Sequence, residues 1–140
     1  MPARTTPDDL RRILQQTRTV AVLGAHPQRH RAAFYVPEHL YSVGYRIYPV
    51  NPMKLGETLW GQPVRAALTE LPEPIDMVDV FRRSTALAGH LDEILAMAPL
   101  PRVVWLQLGI RDDDFTQQLM DAGIEVVEDR CTLAEHRRLF

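Results

Sequence analysis

The chain has 140 residues, 46% hydrophobic and 24% charged, with a formal net charge of -2 at pH 7. That length holds one domain (residues 1–140) with a real core and is too short for two of ordinary size; the near-neutral balance excludes a global basic field for nucleic acid or an anionic membrane, so any anion site must be local. The only cysteine, Cys131, excludes an internal disulfide and a multi-cysteine metal site.

Thr6 is placed to cap a first helix, with Pro7 at its first position and Asp8 and Asp9 where the dipole favours negative charge. Leu10, Ile13 and Leu14 share a face, which predicts a cover over the body. The opening "MPARTTPDDLRRIL" lacks the apolar run of a secretion signal, and no stretch nears the ~18 apolar residues of a membrane span, so the expected location is cytoplasmic. "TVAVLG" (19–24) reads as a strand buried on both sides. Ala33, Val36, Leu40 and Val43 then fall on one helical face, and Gly44 supplies the left-handed residue that stops the helix. Pro37 is tolerated in a first turn, which puts the helix start near residue 33 or 34. "YRIYPV" (45–50) is a second strand closed by Asn51 and Pro52, a turn signal. Residues 53–64 are less regular, with one short extended piece, and "AALTEL" (66–71) is a brief helix.

"IDMVDVF" (75–81) is a third core strand, and Ser84 is the expected cap of a helix turning Leu87, Leu91, Ile94, Leu95 and Ala98 inward. "RVVWLQ" (102–107) is the fourth strand. Asp112 to Asp114 load the start of a helix with Phe115, Leu119 and Ala122 inward, ended by Gly123. "IEVVED" (124–129) is the fifth strand, and "CTLAEHRRLF" closes the chain as a helix. Strands alternating with helices argue an α/β fold, a parallel sheet covered on both faces through right-handed crossovers. In such sheets ligands bind beyond the carboxyl ends of the strands.

The loop after the first strand runs roughly nine residues where ~2 to 6 is usual. It holds Gly24, Ala25, His26, Pro27, Gln28, Arg29, His30 and Arg31. A glycine lets amides approach a phosphate, the helix start behind it adds partial positive charge, and arginine pairs bidentately with phosphate oxygens. A diphosphate is the natural guest; a solvated basic loop touching nothing is the alternative. A dinucleotide site places an acid about 20 residues on to hold ribose hydroxyls. Here that tip is Val50, Asn51, Pro52, Met53 and Lys54. A lysine cannot accept hydroxyl hydrogens but pairs with phosphate, which favours a ribose carrying an extra phosphate, as in coenzyme A and, less well, NADP.

The stretches "TVAVLGAHPQRHRAAFYVPEHLYSVGYRIYPVNP", "VDVFRRS", "VWLQLGI" and "DRC" resemble the small CoA-binding proteins similar to the N-terminal CoA-binding domain of the succinyl-CoA synthetase alpha subunit. The resemblance runs from about Val20 to about Glu135. It implies a three-layer Rossmann-like α/β fold with a parallel five-stranded sheet in the order 3-2-1-4-5, and a CoA or acyl-CoA ligand. It implies diphosphate contacts at Gly24, Ala25 and His26 with Arg31 as the loop arginine, and Asn51 and Pro52 on the adenosine side. Lys54 would meet the 3′-phosphate, Phe81 and Arg82 would wall the adenine, and Leu106, Gln107 and Leu108 would flank the pantetheine. The chain departs from the family pattern at His26, where many members have serine or threonine, and at Ala32, where many have proline.

The synthetase's second domain, with its phosphorylated histidine, has no counterpart here, so the expectation is a binding module rather than a ligase. The alternative is an enzyme acting on CoA thioesters or a CoA-dependent redox protein using Cys131. His136 lies five residues beyond Cys131, an offset that turns the two side chains apart on a helix. His90 reads as a packed or surface histidine. Asp76 and Asp79, three apart on a strand, face opposite sides and form no carboxylate pair. The five histidines lack a metal spacing, so no metal site is expected. The residues leave open the acyl group, the oligomeric state, the pathway and any protein partner.

Overall fold

A computed structural model describes residues 6–140; residues 1–5 of the charged opening segment lie outside the described residues. In chain order the elements are α1 (Pro7–Gln16), β1 (Thr19–Leu23), α2 (Ala32–Ser42), β2 (Arg46–Val50), β3 (Thr58–Leu59), β4 (Gln62–Pro63), β5 (Met77–Val80), α3 (Leu91–Leu95), β6 (Val103–Leu106), α4 (Asp113–Asp121), β7 (Glu125–Val127) and α5 (Thr132–Leu139). Short 3-10 turns occupy Pro52–Lys54, Leu68–Glu70 and Ser84–His90.

Five strands form one parallel sheet in the order β2-β1-β5-β6-β7. Their side chains alternate between two apolar layers. Val20, Val22, Met77, Val103, Trp105 and Val127 meet Leu10, Ile13 and Leu14 of α1 and Leu40 of α2 on one face. Ala21, Leu23, Val78, Val80, Val104 and Leu106 meet Leu87, Ile94, Phe115 and Leu119 on the other. Burying each large side chain contributes about 1.5–3 kcal/mol, which makes these two layers the principal driving force for the fold.

The expected Rossmann-like α/β sheet with helices on both faces is present, and the strand order within it differs in one respect. Numbered among the five sheet strands alone, the order is 2-1-3-4-5 rather than 3-2-1-4-5, because β5 lies beside β1 instead of outside β2. The place outside β2 is held by a single parallel bridge, Val50 to Arg65. There Arg65 N–H reaches the Pro49 carbonyl at 3.1 Å and Asn51 N–H the Arg65 carbonyl at 2.9 Å. Pro63, just before it, lacks the N–H that a longer strand would use.

Thr6 caps α1 as expected, its Oγ1 accepting from Asp9 N–H at 3.1 Å. Helix α2 begins at Ala32, one or two residues earlier than expected, so Pro37 sits in the second turn and leaves the Ala33 carbonyl without its i+4 donor. Val43, expected on the inner face, is 46% exposed past the helix end. Ser84 does not cap a long helix: its Oγ accepts from Arg111 N–H at 3.0 Å, and residues 84–90 wind as a 3-10 turn before the short α3. Three residues per turn instead of 3.6 changes the phase, so Met97 faces the core while Leu95 and Ala98 face outward. Ala122 is exposed as well, since α4 ends before it and Ile124 takes the inward position. The short extended piece among residues 53–64 is a two-residue hairpin with Trp60 at φ 53° and Gly61 at φ 77°. The Trp60 ring lies 5.8 Å from that of Phe34, and its Nε1 donates to Glu38 Oε2 at 3.0 Å, tying the hairpin to α2.

Candidate functional site

Beyond the carboxyl ends of the strands lies a cavity of about 680 Å³ shared by four loops and the start of α5. Of the residues expected at a site, Gly24, His26, Arg31, Asn51, Phe81, Arg82, Gln107 and Leu108 line it. Four do not line it. Ala25 is fully buried beneath the loop, and Leu106 points into the opposite layer by strand alternation. Pro52 and Lys54 lie on the 3-10 turn past β2, outside the lining. Ala32, Ala33, Tyr35 and Val36 join it because α2 starts early enough to present its first turn. Arg83, Ser84, Gly109 and Ile110 extend the two loops that were expected, and Cys131 also reaches the lining.

Gly24 sets the approach of two of these loops. Its φ of 92° is open only to glycine at low cost, and a Cβ there would stand 3.0 Å from the Phe81 carbonyl oxygen and 3.1 Å from Arg82 Cδ. Its N–H donates to the Val50 carbonyl at 2.8 Å, while Phe81 N–H donates to the Leu23 carbonyl at 2.9 Å, so the first and third turns share one hydrogen-bonded edge. Asn51 joins the second: its Nδ2 donates to the Ala25 carbonyl at 2.9 Å and its Oδ1 accepts from Met53 N–H at 2.9 Å.

Electrostatically the mouth is cationic. Arg31, Arg82 and Arg83 line it. Burial, then the charges of Arg31, Lys54 and His30, hold the His26 pKa below the ordinary histidine value. His26 is therefore neutral near pH 7, and because Nδ1 accepts from Gln28 N–H at 3.1 Å, its proton sits on Nε2, which remains a donor. Arg31 Nε donates to Gln28 Oε1 at 3.0 Å. Arg29 turns away, its guanidinium 5.5 Å from the Phe34 ring centroid. At the cap position of α2, Arg31 makes no side-chain capping bond; its carbonyl accepts from Phe34 N–H at 2.9 Å, and the amides of Ala32 and Ala33 receive no side-chain cap.

Asp79, Gln107 and Thr132 form a buried group at the inner end. Gln107 Nε2 donates to Asp79 Oδ1 at 2.6 Å and to Thr132 Oγ1 at 2.9 Å, and Thr132 Oγ1 donates to Asp79 Oδ2 at 3.1 Å. Complete burial pushes the Asp79 carboxyl up to about 7 against the opposing pull of those two donors. Asp76 stands at the other end of the sheet, where its Oδ2 accepts from the amides of Arg18 and Thr19 at 2.8 and 3.2 Å. Cys131 is partly exposed at the cap of α5. His136, five residues on, is engaged through Nδ1 with His39 Nε2 at 3.1 Å. His90 pairs with Glu93 Oε1 at 3.1 Å. Among the described residues no group of three metal-binding side chains gathers, and no helix is long and apolar enough to cross a membrane.

The site thus combines the cations Arg31, Arg82 and Arg83 with the apolar Tyr35, Val36, Phe81, Leu108 and Ile110 in one lining. A family model described as a CoA binding domain matches residues 18–137. YneT of Bacillus subtilis (strain 168), an uncharacterized protein, is 36% identical over 129 residues, covering 91% of this chain and 92% of its own. The structure of cell-free ID.343 from Thermus thermophilus superposes with a TM-score of 0.92 at 50% identity, covering 97% of this chain and 100% of that one. A hypothetical protein from Pyrococcus horikoshii OT3 superposes with a TM-score of 0.88 at 29% identity, covering 99% and 98%.

Proposed function

This chain belongs to the family of CoA binding domains, and from that premise we propose that residues 1–140 form one module that holds coenzyme A or an acyl-CoA without turning it over. Family membership supports CoA binding in general. The observation that carries the finer reading is the single cavity in which the cations Arg31, Arg82 and Arg83 share a lining with the apolar Val36, Phe81 and Ile110. The diphosphate goes to Gly24, the backbone beside Ala25, His26, Arg31 and the uncapped start of α2. Asn51 and Pro52 shape the adenosine side, with Lys54 reaching the 3′-phosphate from the turn past β2. Phe81 and Arg82 wall the adenine; Gln107 and Leu108, carried by Leu106 at the end of β6, flank the pantetheine. A holding role is favoured over thiol chemistry because the histidine nearest Cys131 in sequence, His136, is bonded to His39.

Calorimetry with CoA, 3′-dephospho-CoA and NADP tests the assignment. Removing the 3′-phosphate deletes a charge-assisted hydrogen bond and is expected to cost about 1.5–3 kcal/mol; Lys54→Ala should lose affinity for CoA by a similar amount and leave that for dephospho-CoA unchanged. Equal affinities for CoA and dephospho-CoA would remove Lys54 from the site, and no CoA binding at millimolar concentration would overturn the proposal.

A further inference from the structure

The inner end of the cavity has a fixed hydrogen-bonding polarity. Both hydrogens of the Gln107 amide are spent, on Asp79 Oδ1 at 2.6 Å and Thr132 Oγ1 at 2.9 Å. With Asp79 ionised, a flipped amide would bring its carbonyl oxygen against a carboxylate oxygen, two acceptors facing each other. Thr132 cannot relieve this, because its one hydroxyl hydrogen goes to Asp79 Oδ2 at 3.1 Å. Among the described residues Gln107 Oε1 has no protein donor, yet no buried side-chain oxygen or nitrogen among them lacks a partner, so Oε1 is open to solvent rather than sealed in. Gln107 is only 6% exposed, and it lines the cavity. An acceptor is thus exposed at Gln107, in a lining that also carries the cations Arg31, Arg82 and Arg83.

We propose that Gln107 Oε1 accepts an amide N–H of the pantetheine arm, with Asp79 and Thr132 as positioning residues that hold the carbonyl toward the ligand. This rests on the CoA reading of the cavity and adds a specificity element to it. The arm of CoA carries two secondary amides, whereas adenosine 3′,5′-bisphosphate carries the nucleotide half with none. An acceptor held in one orientation binds the donor without the entropy of ordering a mobile side chain, and a ligand arm without an N–H leaves that acceptor unpaired.

The test compares CoA with adenosine 3′,5′-bisphosphate by calorimetry at pH 8, above the Asp79 value of about 7, together with the carbon chemical shift of the Gln107 side-chain carbonyl. Gln107→Met, similar in shape and without the acceptor, is expected to weaken CoA about three- to tenfold and to leave the bisphosphate unchanged. Asp79→Asn, which permits either amide orientation, should show the same selective loss, and Thr132→Ser, which keeps the hydroxyl, should restore wild-type behaviour. In the unsubstituted protein the Gln107 carbonyl resonance should move on adding CoA and stay in place on adding the bisphosphate. Equal losses for both ligands, or an unmoved carbonyl in a protein that binds CoA, would overturn the inference and leave the CoA reading standing. Failure of the unsubstituted protein to bind CoA would overturn both. Should either buried substitution prevent folding, the carbonyl shift of the unsubstituted protein decides the matter.

Discussion

At Gly24 the backbone stands at φ 92° with the Phe81 carbonyl oxygen 3.0 Å from where a Cβ would be. Alanine there meets both a disfavoured dihedral and a rigid backbone neighbour, so Gly24→Ala should destabilise by about 1–3 kcal/mol. The loop after β5 would shift with it, and CoA affinity should fall at least about tenfold, a change of ~1.4 kcal/mol; denaturant unfolding and calorimetry on the same sample separate the two effects. Residues whose chemistry is local were legible in the sequence. Gly24, His26 and Arg31 stand together on an over-long strand-to-helix loop, and the structure gathers all three in the cavity lining. Gln107 was legible as the end of the fourth strand and, through the family resemblance, as a flank of the pantetheine, but not as an amide held in one orientation. What fixes its amide is Asp79 together with Thr132, which lies 53 residues beyond Asp79 in the chain, a separation that no periodicity spans.

Helices α2 and α5 meet through His39 and His136, whose Nε2 and Nδ1 share one hydrogen at 3.1 Å beneath the Tyr45 and Phe140 rings. Burial holds both histidines below the ordinary pKa, with their mutual repulsion and Arg137 adding to the effect at His39. A base with a depressed folded-state pKa contributes stability that is complete above the ordinary value near 6.5 and is lost as pH falls through the lowered one. From pH 7.5 to pH 5.5 the protein should therefore lose more stability than a His39→Gln variant, in which only one of the two rings still titrates; urea midpoints at the two pH values measure the difference. His39 and His136 are 97 residues apart, and nothing in the sequence coupled them. Element phase was the other blind spot. Ser84 looked like a cap followed by α-helical spacing, but a 3-10 turn places Leu87, Leu91, Ile94 and Met97 inward by three- and four-residue steps. Near-integral spacing of that kind reads equally well as α-helix until the phase is seen.

For the whole molecule, a ligand that binds only the folded state stabilises it by mass action, about 2.7 kcal/mol at one hundred times Kd. For a chain of this size that corresponds to a rise in Tm of roughly 5–10 °C. CoA at that excess should produce such a rise, and Gly24→Ala should show a much smaller one; a thermal scan with and without CoA checks it. The α/β class was legible because β1, β5 and β6 are short, mainly apolar runs buried on both faces, and each is followed by turn chemistry. Strand order was not, since the same runs thread into a sheet with the third beside the first or beyond the second, and only hydrogen bonding distinguishes them. The four loops and the α5 start come from Gly24 to Cys131, so the cavity is a property of the assembled sheet and of no fragment.

The bridge from Val50 to Arg65 has a further effect on how copies of this protein meet. With Pro49 carrying no N–H and its carbonyl already taken by Arg65, β2 offers no run of unsatisfied amides along its outer border. The opposite border, β7, is only three residues long. Neither rim is a template onto which another chain can zip, so crowding this protein should leave its sheets finite, and any self-recognition has to be written in side chains.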